Sequence, residues 1–146
     1  MHESAVYISD EEIASIAHRL LECTLPKSQW THAAHVVVTF WMLKERPEID
    51  VPREMPTFIR AYNVATGVAN TASSGYHETI TQASIRAVRS FLGRDPSRPL
   101  VAICNAALTS FLGRPDWLLT YWTRQRLFSA EARVAWCEPD IVKLPF

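Results

Sequence analysis

Between Val36 and Leu43 the chain reads Val-Val-Val-Thr-Phe-Trp-Met-Leu, apolar at every position but Thr39. Such a run is far too short to cross a bilayer. Coiled as a helix it is apolar almost all the way round, and an element of that kind is stable only when others surround it. The valines would also suit a strand, but the length and the flanking His and Ala residues favour a helix that begins between Ser28 and Thr31 and stops before Pro47. The remaining chain must therefore supply a shell of amphipathic elements around this one.

Helices are what it supplies. No segment alternates cleanly between turns of the Asn-Gly or Asp-Gly type, so strand signals are nearly absent. A first helix is expected from about Asp10 to Thr24, opened by a Ser9/Glu12 capping box with Ile8 and Ile13 at staple spacing. Ile13, Ile16, Ala17, Leu20 and Leu21 trace its inner face. A third helix is expected to start near Pro56, with Gly67 as its C-cap. Val68 to Gly75 reads as an ordered loop of small residues. A fourth helix should follow from about Tyr76 to Leu92, closed by Gly93, and a fifth from Pro99 to Leu112. A sixth should run from Pro115 to about Arg126, and a short last one, capped by Ser129, through Trp136. The apolar tail after Pro139 should pack along the surface. The expected fold is thus an all-α, single-domain bundle of six or seven helices spanning 1–146.

Composition narrows the function. Hydrophobic residues make up 48% of the 146 and charged residues 21%, a balance that builds a core and excludes a disordered chain. Fifteen basic residues against fifteen acidic ones leave no net charge, so no nucleic-acid partner and no anionic membrane surface is expected. Met1 to Asp10 lacks the pattern of a secretory signal. Cys23, Cys104 and Cys137 are odd in number and form no CxxC, as expected of reduced thiols in a cytoplasmic protein.

The residues able to carry chemistry are histidines. His32 and His35 sit three apart at the head of the most apolar helix, where neighbours at that spacing lie roughly 5–6 Å apart. His77 heads the fourth helix, shares a stripe with Ile80, Ser84 and Val88, and is followed by Glu78. Three inward imidazoles and a carboxylate are a sufficient ligand set for one divalent metal, with zinc, iron, manganese and nickel not distinguished. Thr81 stands where a zincin helix needs histidine, and the HxE…PCxxC deaminase pattern is absent. No glycine-rich phosphate loop exists, and no GxSxG surrounds Ser73 and Ser74. His18 reads as a boundary residue, His2 as part of a mobile terminus, Asp116 as a helix cap and Asp140 as a turn residue. Among the arginines, only Arg124 and Arg126 suggest an anionic ligand.

On three segments the chain resembles a group of small, uncharacterised bacterial helical proteins. These are Trp30-Thr31-His32-Ala33-Ala34-His35, Gly75-Tyr76-His77-Glu78-Thr79 and Trp136-Cys137-Glu138-Pro139-Asp140. The resemblance covers most of the chain from Leu25 onward. It implies a helical fold and a joint role for the two histidine segments, and it brings no activity.

Two functional classes follow. In the first, a metal-dependent enzyme acts on a small molecule through His32, His35 and His77 as ligands, with Glu78 as fourth ligand or general base beside a metal-bound water. In the second, a metal-free module binds a small molecule, and the same residues line a polar pocket under the Val68–Gly75 loop. A helical interaction domain or homodimer with purely structural histidines is the third alternative.

Overall fold

The computed structural model describes residues 6–146, and among them there is no β-strand. Seven α-helices follow one another: α1 (Asp10–Leu21), α2 (His32–Glu45), α3 (Val51–Ala65), α4 (Glu78–Arg94), α5 (Leu100–Leu108), α6 (Arg124–Leu127) and α7 (Ala130–Val134). Short 3-10 turns occupy Lys27–Gln29, Phe111–Gly113 and Trp117–Thr120. The chain is all-α, and no described helix is long and apolar enough to cross a membrane.

α2 is the central element. Every residue from Val36 to Met42 is buried, and α1, α4 and α5 all pack against it. Thr31 opens it, its hydroxyl accepting the Ala34 N–H at 3.1 Å. The one polar residue of the buried run, Thr39, returns its hydroxyl to the His35 carbonyl at 2.8 Å, which is how a helical threonine is buried without an orphaned group.

At the helix ends, the side chains expected as caps act in several places. Ser9 accepts the Glu12 N–H, and Ser129 accepts that of Ala132. Ile8, by contrast, is 85% exposed and makes no staple with Ile13; its N–H turns to the Glu12 carboxylate instead. Gly67, at φ +84°, ends α3 in a paired-bond motif: Gly67 N–H reaches the Val64 carbonyl and Val68 N–H that of Asn63.

Several helix bounds need correction, the first helix ending at Leu21 rather than Thr24 and the last at Val134 rather than Trp136. α3 starts at Val51 rather than near Pro56, which lies inside it. Proline has no N–H for the carbonyl four residues back. That carbonyl, of Pro52, receives the Gln82 amide of α4 at 2.8 Å, so the helix continues through the proline without an unpaired group. The fifth helix ends at Leu108 rather than Leu112. Thr109 and Ser110 return their hydroxyls to the carbonyls of Ala106 and Ala107, competing with the helix ladder, and a 3-10 turn follows. Gly113 closes that turn against the Leu108 carbonyl, where any Cβ would sit 1.9 Å from the oxygen.

The sixth helix, expected unbroken from Pro115 to Arg126, is a 3-10 turn and a separate α6. The Asp140 carboxylate takes both the N–H and the hydroxyl of Thr123, at 2.8 and 2.7 Å, and fixes an extended residue between them. The fourth helix also runs two residues past Leu92, and Gly93 lies within it rather than closing it. The apolar tail packs as expected, Phe146 stacking on Phe111 with centroids 6.1 Å apart.

Candidate functional site

The Asn70 side chain anchors the loop at 68–75 to α3. Asn70 accepts the Tyr76 N–H and the Asn63 amide through Oδ1, and donates its own amide to the Arg60 carbonyl. Gly75 is obligatory there: its φ is +78°, and a Cβ would lie 2.5 Å from the Ala69 carbonyl oxygen. Its own carbonyl accepts from Arg133 at 2.8 Å. Thr79, buried at the start of α4, donates to the Ala135 carbonyl and accepts the Cys137 N–H. The loop, α4 and the chain after α7 are thus tied together beside the histidines.

Each histidine has a different fate. His77 caps α4: its Nδ1 accepts the Ile80 N–H at 3.1 Å. That fixes the tautomer, since Nε2 must then carry the proton, which it donates to the Leu127 carbonyl at 2.7 Å. Both nitrogens are used, and burial lowers the pKa of the ring. His32 donates Nε2–H to the Leu112 carbonyl, also at 2.7 Å.

His35 is different: its ring nitrogens make no hydrogen bond among the described residues. It lies against Trp30 with ring centroids 4.2 Å apart. Burial, followed by the neighbouring His32 ring, pushes its pKa down to about 4, so it is neutral at pH 7.

Among the described residues no three His, Cys, Asp or Glu side chains are grouped so as to hold a metal ion. The expected set of His32, His35 and His77 is therefore not drawn into one ligand cluster. His77 could bind a metal only by giving up both its cap and its bond to Leu127. Glu78, expected as fourth ligand or base, faces elsewhere: it accepts the Tyr76 hydroxyl at 2.5 Å and the Gln82 amide at 3.4 Å.

What His32 and His35 do share is a cavity of about 450 Å³, within the range that holds small ligands. Val36, Ile80, Leu118, Leu119 and Leu127 make its walls mainly apolar, with Ser84 among them. Asp116 and Arg124, both exposed, stand at its edge with opposite charges. Asp116 makes no side-chain cap, contrary to its expected role. Arg126 donates to the Glu138 carbonyl, and His18 is exposed against Trp41. His2 lies outside the described residues.

Sequence reasoning named His32 and His35, and Ser84 on the stripe of His77, and missed Leu118, Leu119 and Phe128. Nothing in their local sequence marks them, because the wall they complete depends on the break between Thr120 and Arg124.

No family model matches the chain. Neither a curated protein nor a solved structure proved similar to it.

Proposed function

We propose that the protein is a metal-independent binder of a small, largely apolar molecule, held in the 450 Å³ cavity between α2, α4 and residues 115–128. The observation that carries this is the state of His35, a neutral imidazole on an apolar cavity wall with neither ring nitrogen bonded. Those nitrogens are not sealed off from the cavity, so a guest with one polar group can take the place of the solvent that meets them. A base with a pKa near 4 is weak at neutral pH, which favours binding over proton abstraction. The metal-dependent enzyme is not carried forward, since His77 and Glu78 are committed to other partners.

We place the protein in the cytoplasm, its cysteines being free thiols. Its balanced charge calls for no nucleic-acid partner. Phe128, 53% exposed at the cavity edge, would also suit a homodimer contact.

Thermal unfolding in the presence of EDTA tests the proposal against a set of small aromatic and aliphatic compounds. At one hundred times its Kd, a ligand adds about 2.7 kcal/mol, which raises the Tm of a domain this size by about 5–10 °C. The expected outcome is a shift that survives EDTA and disappears in Ser84→Trp, whose ring fills the cavity. Shifts abolished by EDTA, or no shift from any compound at millimolar concentration, would overturn it.

A further inference from the structure

The cavity is one chamber of two. A smaller one, about 280 Å³, lies under the loop at 68–75, and Trp30, His35 and Ile80 wall both. The partition is thus made of side chains, chiefly the Trp30 and His35 rings in contact. His32 and His77 are each held by a backbone carbonyl at 2.7 Å, while no hydrogen bond holds the ring of His35. The unpinned histidine is the one standing between the chambers.

Their chemistry differs. The larger chamber is mainly apolar. The smaller is faced by Asn63, Tyr76, His77 and Thr81, and no charged side chain lines it. His77 has spent both nitrogens, and the Tyr76 hydroxyl donates its hydrogen bond to Glu78. Asn63 is only half used. Asn70 Oδ1 already accepts the Tyr76 N–H, so the Asn63 atom bonded to that oxygen must be its NH2 group. The Asn63 Oδ1 is left without a partner among the described residues. The smaller chamber therefore offers an amide oxygen and an imidazole to a neutral donor. An ionised group would lose its hydration there with no counter-charge to replace it.

We propose that the ligand is an uncharged amphiphile whose apolar body fills the larger chamber, and whose hydroxyl or primary amide head passes His35 to meet Asn63 in the smaller. This rests on the binding function proposed above.

Five probes with one common body test it by calorimetric titration in EDTA: 3-phenylpropan-1-ol, 3-phenylpropionamide, propylbenzene, 3-phenylpropylamine and 3-phenylpropionate. The alcohol and the amide should bind at least tenfold more tightly than the hydrocarbon or the two ions. Asn63→Leu should bring both down to the level of propylbenzene, with the amide NMR signals of residues 68–75 checking that the loop is intact. In the unmodified protein, nuclear Overhauser contacts from the propionamide head should reach Val68 and Thr81. The two-chamber proposal is overturned if the heads give no advantage, if the advantage survives Asn63→Leu, or if the head contacts only Leu118 and Leu119. Propylbenzene binding that Ser84→Trp abolishes would then leave the single-chamber function standing. Binding by none of the five would overturn both.

Discussion

His77 and His35 differ in what their ring nitrogens meet, and the difference can be measured. Replacing His77 by Ala removes a helix cap and leaves the Leu127 carbonyl, 50 residues away in sequence, without its donor. Together these should cost about 2–4 kcal/mol in denaturant unfolding. His77→Asn can still accept the Ile80 N–H but is too short to reach Leu127, so it should recover about half of that loss. An Asn variant no better than Ala would refute the capping role.

For His35, folding favours the neutral ring. The unfolded chain takes up its proton near pH 6.5, and the folded one only near pH 4. Stability should therefore be fully present above about pH 6.5 and fall as the pH drops to about 4, by on the order of 3 kcal/mol at most. His77, also shifted down, contributes in the same direction. Urea midpoints across this window should fall less steeply in His35→Phe, and an unchanged slope would contradict the assignment. Helical spacing alone was enough to pair His32 with His35 and to turn His77 inward. The carbonyls that pin two of the three come from residues 50 and 80 positions away, which no local pattern encodes.

Elements were legible where their signals are local. Ser9, Thr31, Gly67 and Ser129 mark ends that the backbone obeys, because a cap acts within a few residues. The boundaries that shifted depend on partners remote in sequence: Gln82 for Pro56 and Asp140 for Thr123. Gln82→Ala should cost about 1–2 kcal/mol, because the Pro52 carbonyl loses its only substitute donor. In a Pro56→Ala background the restored N–H can serve that carbonyl, so the same change should cost markedly less. Equal costs in the two backgrounds would show that the amide plays no such part. Gly75→Ala should destabilise by 2 kcal/mol or more, given its positive φ and the 2.5 Å approach to Ala69. If the mutant melts like the parent, the loop is not held as described.

For the molecule as a whole, the all-round apolar helix sets the architecture and the amphipathic helices around it follow from that need. A helical bundle could be read from periodicity. The cavity could not, since it opens where an expected continuous helix is broken and the chain between Pro115 and Phe128 bends to form a wall.

The most direct measurement is therefore the imidazole NMR spectrum recorded during titration with 3-phenylpropionamide in EDTA. The His35 ring signals should move with saturation while those of His77, held at both nitrogens, stay in place. Movement of His77 in step with His35, or no movement until one equivalent of Zn²⁺ shifts all three histidines together, would contradict a metal-free site centred on His35.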